Sequence, residues 1–287
     1  MPAMLQALRH YLLAIQFFTS IPVTGRLAAW VGYSPAMLRA SAAHFPGVGV
    51  VVGTLVAGAS WLLLKALPAS AFAPLVVAML GTVLSVMVTG AFHEDGLADI
   101  ADGLGGSYDR NRALEIMTDS RVGAFGALAL VLVVLTKASL LALIGSVDGS
   151  QGAQWMVLAI FVAHVVSRTW PLLLIRLMPH VGDAAGSKSK PLADQISTAS
   201  LWVALLWFFC ALAPVFMALL AINFAAVSGR VGMGVLPLVT GILASFVAFL
   251  FMWHLLWHRL QGFTGDGLGA TQQVCEVALY LGLALAL

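Results

Sequence analysis

Residues 122–144 read VGAFGALALVLVVLTKASLLALI, an apolar run interrupted by one charge, Lys137. A helix needs about 20 consecutive apolar residues, at 1.5 Å rise each, to cross the hydrocarbon of a bilayer, and this run supplies them. Similar runs lie near Phe45 to Leu67, Phe72 to Phe92, Trp155 to Met178, Ser200 to Ala225 and Met233 to Trp257, and a shorter one covers Val274 to Leu287. The hydrophobic share of 61% exceeds the about 45 to 50% of soluble domains. The chain therefore reads as all-α, a polytopic membrane helix bundle forming a single domain over 1–287. It has six to seven spans, the last crossing only if it borrows Leu268 to Gln273.

Toward the N-terminus, Leu5, Leu8, Leu12 and Ile15 share one helical side and Arg9 and Gln16 another, with no small-residue cleavage site after them. That pattern predicts an N-terminal interfacial helix rather than a signal peptide. With that end cytoplasmic, one side collects Arg9, Arg26, Arg39, Arg110, Arg112, Arg121, Lys188, Lys190 and Arg259, against Arg230 on the other. The bias orients the chain and puts the loops 93–121, 179–199 and 258–273 on the cytoplasmic face. Cys210 and Cys275 lack paired spacing and read as core residues. No basic stretch interleaves with aromatics, so nucleic acid is not an expected partner. Gly49, Gly53 and Ala57, and Gly123 with Gly126, predict close helix packing.

Seven of the twelve acidic residues fall between Glu94 and Asp119. In a helix over His93 to Gly103, Asp95, Asp99 and Asp102 stand at i, i+4 and i+7 and share a face. Such a face repels itself and needs a cation, a basic partner or water beside a bilayer. Carboxylate oxygens without thiolates favour magnesium or manganese over zinc. Gly103, Gly105 and Gly106 end that helix, and Asp109 is placed to cap the next. Arg110 and Arg112 offer forked donors to phosphate or serve as positive-inside anchors, and Arg121 stands at a membrane boundary. A second cluster, Gly262, Gly265, Asp266, Gly267 and Gly269, reads as a flexible loop on the same face, with Asp266 able to complete a metal shell or bind a hydroxyl. Lys137, Arg168 and Arg176 lie within spans, where a charge calls for a partner. Arg168 is placed for a carboxylate or a substrate phosphate, and Arg176 for snorkelling. His254 and His258 form an i, i+4 pair without a third ligand, assigned to the interface.

The segments Gln16 to Val23, Phe45-Pro46-Gly47, His93 to Gly106, Leu114 to Met117, Asp119 to Ala124, Thr264-Gly265-Asp266 and Leu268-Gly269-Ala270 resemble the cobalamin synthase (adenosylcobinamide-GDP ribazoletransferase) family, in order and over nearly the whole chain. Gln261 and the Gln272-Gln273 pair depart from its pattern. The resemblance implies a magnesium-dependent transferase of the bacterial inner membrane with a cytoplasm-facing site. It would join adenosylcobinamide-GDP to alpha-ribazole or its 5'-phosphate and release GMP. By analogy with CDP-alcohol phosphotransferases, Asp95, Asp99 and Asp102 would hold metal with Asp266, and Glu94 or Asp102 would act as supporting ligand or base beside Arg121. Arg110, Arg112, Arg168, Gly265 and Asp266 would bind substrate. The implied partners are corrinoid nucleotide, ribazole and membrane lipid, and a homo-oligomer is left open. Two alternatives compete. A CDP-alcohol phosphotransferase would carry Asp-Gly-x-x-Ala-Arg, which does not follow here, and a secondary transporter would carry paired broken helices.

Overall fold

The computed structural model describes residues 3–147, 149–181, 196–226 and 234–287, whose regular structure is helical. Lys188, Lys190 and Arg230, used above for orientation, lie outside the described residues.

The amphipathic N-terminus forms α1 (Ala3–Phe18). Met4 and Leu8 are exposed while Leu13, Ala14, Ile15 and Phe18 are buried, so only its first half is free to lie in an interface. Two short helices, α2 (Gly25–Val31) and α3 (Pro35–Ser41), pack on it. Arg9 Nε donates to the Val31 carbonyl at 2.9 Å, and Ser34 Oγ caps α3 by accepting from Met37 N. A 3-10 turn then leads into α4 (Phe45–Ala66).

The run expected over 72–92 stops early. α5 (Ala73–Thr89) ends at Gly90, φ +66°, and after Ala91, φ +59°, the chain turns by 92° into α6 (Phe92–Gly106). Gly90 takes the left-handed conformation without steric cost, whereas Ala91 costs about 1 to 2 kcal/mol. The bend keeps the four carboxylates of α6 off the axis of an apolar helix, where each would be costly. Asp109 caps α7 (Arg110–Met117), its Oδ1 accepting from Arg112 N at 2.8 Å, and α8 (Ala124–Gly145) is the opening run.

The span expected over 155–178 is broken into α9 (Gly149–Ser167) and α10 (Pro171–Leu177). Pro171 has no N–H to continue the ladder, and 3-10 bonds from Thr169 N to Val166 O and from Leu172 N to Thr169 O bridge the gap. The bundle is completed by α11 (Thr198–Ala226), α12 (Leu236–Leu260) and α13 (Gly265–Ala284). Among the described residues five segments are long and apolar enough to cross a bilayer, and α5 with α6 makes a sixth if the bent pair is one span. This is a multi-pass membrane protein.

At the C-terminus one expectation is corrected and another takes one of its two forms. The glycine-rich stretch is not a flexible loop: Thr264 Oγ1 accepts from Gly267 N at 3.0 Å and starts α13 at Gly265. The last segment does take in Leu268 to Gln273. α13 runs 20 residues and packs against α6, α8, α9 and α12 with Gln272, Gln273 and Glu276 buried, so polar groups satisfied inside the bundle had masked its length in the hydropathy. Cys275 is buried as expected. Cys210 is exposed, because its side of α11 turns outward.

Candidate functional site

The first turn of α13 crosses α6 through two glycines. A Cβ at Gly96 would lie 2.8 Å from the Asp266 carbonyl oxygen, and one at Gly269 would lie 3.3 Å from the His93 Cα, so both positions hold the backbones in contact. The crossing brings together Asp95, Asp99 and Asp266, far apart in sequence. The negative charges of Asp266, Asp95 and Asp102 all bear on Asp99, and that of Asp95 bears on Asp266. Among the described residues no basic side chain pairs with any of the three. Crowded carboxylates without a counter-charge are a donor set suited to a hard divalent cation. Among the described residues no group of three His, Cys, Asp or Glu is placed to hold a metal ion, so a cation here would draw on one or two carboxylates, with water and substrate phosphate for the rest.

Asp102 is turned to a different task. Its Oδ2 accepts from Gly123 N at 2.7 Å and its Oδ1 from Gly126 N at 2.8 Å, which satisfies the orphan donors at the start of α8. The close helix packing expected at Gly123 and Gly126 is therefore met: a Cβ at either would run into this carboxylate of α6, and one at Gly126 would also lie 2.9 Å from the Ala98 carbonyl oxygen.

The arginines divide in the same way. Arg110 Nε closes the end of α12 by donating to the Leu260 carbonyl at 2.7 Å. Reciprocally, Arg259 on α12 donates to the carbonyls of Leu104 and Ser107 at 3.0 and 2.7 Å, closing α6, and its guanidinium stands 4.9 Å from the Tyr108 ring centroid. The sequence reading gave Arg259 no role beyond orientation. Arg112 pairs with Glu115 at 2.8 Å and Arg121 with Asp119 at 2.6 Å; both pairs are exposed and weak enough to exchange for an anion. Arg168 is only 1% exposed. Its Nη1 meets His164 Nδ1 at 2.8 Å and the His164 carbonyl at 3.0 Å, and its guanidinium lies 5.8 Å from the Phe45 ring centroid, so it is held inside the bundle and apart from the exposed arginines.

A buried polar chain escaped the sequence reading. The Lys137 Nζ pairs with Glu276 Oε1 at 2.5 Å, which names the partner that this charge required. Glu276 also accepts from Gln272 Nε2 at 2.7 Å and Tyr280 Oη at 3.0 Å. Gln272 donates to Ser167 Oγ, and the neighbouring Gln273 donates to Glu94 Oε1 at 3.0 Å. Polar contacts thus run unbroken from α8 through α13 to the acidic helix. Two signals were readable: Gln272, Glu276 and Tyr280 share one helical face, and Lys137 was unmatched. Beyond the network, Glu94 Oε2 and both ring nitrogens of His93 are buried without a partner. His254 and His258, with ring centroids 4.2 Å apart, lie exposed on α12, where the sequence had assigned them to the interface.

Residues 10–284 match the family described as cobalamin-5-phosphate synthase. A relative from Albidiferax ferrireducens, an adenosylcobinamide-GDP ribazoletransferase, is 63% identical over 284 residues, covering 99% of this chain and 100% of its own. Relatives of the same name from Polaromonas naphthalenivorans and Vibrio cholerae are 58% and 38% identical, covering 99% and 96% of this chain and 100% and 92% of their own. No solved structure matches the chain.

Proposed function

Because the chain belongs to the cobalamin-5-phosphate synthase family, we propose that it is an adenosylcobinamide-GDP ribazoletransferase working at the crossing of α6 and α13. The observation that carries the site is the unneutralised group of Asp95, Asp99 and Asp266 between two glycine contacts. Accepting alpha-ribazole 5'-phosphate gives a product that keeps the 5'-phosphate, so a ribose hydroxyl is the nucleophile with either acceptor. Its oxygen bonds to the phosphorus next to cobinamide, the bridging P–O bond breaks, and GMP departs with the electron pair.

The hydroxyl proton needs a base. Glu94 suits that role, since one oxygen is fixed by Gln273 and the other is unpartnered. Asp102 is spent on α8 and acts as a positioning residue instead. One or two carboxylates of the group Asp95, Asp99 and Asp266, together with water and substrate phosphate, would hold magnesium, which would supply neutralisation of charge on the diphosphate oxygens. Arg112 and Arg121, whose exposed pairs exchange readily, would bind the outer phosphate. The bias of basic residues supports a cytoplasm-facing site in the bacterial inner membrane.

Purified protein in lipid nanodiscs, given adenosylcobinamide-GDP, alpha-ribazole and magnesium, is expected to release GMP in step with adenosylcobalamin. GMP release that ignores ribazole, or none at all, would refute the assignment.

A further inference from the structure

Between Lys137 and Glu94 the buried contacts have a direction. Lys137 Nζ and Tyr280 Oη both meet Glu276 Oε1, and because an ammonium can only donate, that oxygen must accept. The other oxygen, Oε2, accepts from Gln272 Nε2 at 2.7 Å, whose second hydrogen goes to Ser167 Oγ at 3.0 Å. Gln272 Oε1 in turn accepts from Gln273 Nε2 at 3.0 Å, and the remaining hydrogen of that nitrogen goes to Glu94 Oε1 at 3.0 Å. A carboxylate at each end only accepts, so neither amide can turn over alone without setting two donors or two acceptors against each other. Gln272, Gln273 and Glu276 are buried, so water does not relieve such a mismatch. It can only be moved along the chain.

We propose that Glu276 is a positioning residue for the reaction, fixing through Gln272 and Gln273 which oxygen of Glu94 is left to meet the substrate hydroxyl. The inference rests on the reading of Glu94 as the base. The donor from Gln273 ties Glu94 Oε1 to α13 and leaves Oε2 without a partner. Replacing one atom at the far end reverses the relay. In Glu276→Gln, Lys137 keeps the carbonyl oxygen on its own side, and the new amino group faces the amino group of Gln272. Gln272 relieves that clash by turning over, since the Ser167 hydroxyl can donate as well as accept, and Gln273 turns in response. The mismatch comes to rest at Glu94, the half-buried member of the chain, which is able to swing away from a carbonyl.

The test reads kcat, KM and melting temperature separately, in the full chain in nanodiscs with both substrates and magnesium. Gln273→Met and Glu276→Gln are each expected to lower kcat for GMP release on the order of tenfold, part of what a general base contributes, with KM for either substrate unchanged. In the Gln273→Met background, Glu276→Gln should still lower the melting temperature but leave kcat where it was, because residues acting as one unit lose their shared effect only once. A Glu276 that served the fold alone would show no such split. Should Glu276→Gln not fold, Gln272→Met cuts the relay and keeps the ion pair. It is expected to lower kcat alike, and no further when combined with Gln273→Met. Additive losses in kcat, or a Gln272→Met enzyme at the parent kcat, would overturn the proposal. The relay is also read without turnover, from the infrared carboxylate stretch that disappears in Glu94→Gln, which Gln273→Met and Gln272→Met should both shift. A shifted band in a protein that releases no GMP would refute the transferase reading and leave the relay standing, whereas a band that neither variant moves would remove the relay whatever the activity.

Discussion

Asp95 and Asp99 sit one turn apart on α6, and what distinguishes them from Asp102 is the company each keeps. Asp95→Asn and Asp99→Asn are expected to lower GMP release on the order of 100-fold or more, the equivalent of the several kcal/mol that a bound cation contributes. Both should still insert into membranes. Activity near that of the parent enzyme at limiting magnesium would contradict the metal role. Asp102→Asn should behave differently, because Asn keeps only one acceptor oxygen for two backbone donors. Stability should drop by about 1.5 to 3 kcal/mol, seen as a lower melting temperature, while the rate per folded molecule survives. Local spacing made the i, i+4, i+7 pattern legible. It could not reveal that residues 123 and 126 return to claim the third carboxylate, because that contact depends on where α8 starts relative to α6.

At the scale of elements, α13 is held from two sides, by a glycine contact with α6 and by an ion pair with α8. Gly96→Val should push α13 away and separate Asp266 from Asp95, so the magnesium dependence of GMP release should shift to higher concentration even where the protein stays folded. An unshifted magnesium titration would show the contact to be dispensable. Glu276→Gln leaves Lys137 buried and unpaired, which costs about 3 to 5 kcal/mol, whereas adding Lys137→Met should return most of the lost stability. Thermal unfolding in detergent reads both, and a double variant no better than the single would argue against a pairwise effect. The apolar helices were readable from hydropathy alone, whether they lie mostly at the bundle surface, as α8 and α11 do, or mostly inside it, as α9 does. α13 was not, since its Gln272, Gln273 and Glu276 are paid for by partners on helices remote in sequence. The break before Pro171 was visible in principle, because a proline interrupts any helix ladder.

Taken as a whole, the protein presents its carboxylates where α5 turns into α6, so its orientation in the membrane decides which compartment supplies the substrates. In a background lacking both cysteines, Tyr108→Cys should label from the cytoplasmic side and Ser70→Cys only from the opposite side, since α5 separates them. Labelling of both from one side would mean that α5 does not cross. The pair of Lys137 and Glu276 also has a consequence in time. Glu276 is synthesised about 140 residues after Lys137, and at about 5 to 20 residues per second the lysine waits roughly 7 to 28 s for its counter-charge. Throughout that interval α8 must remain in the bilayer with an unmatched ammonium, costing about 2.5 to 3.5 kcal/mol, against which it has the otherwise apolar run that opened the sequence. Nascent chains arrested before residue 276 should therefore be retained by the insertion machinery or degraded, and release into a stable bundle should begin only when α13 arrives.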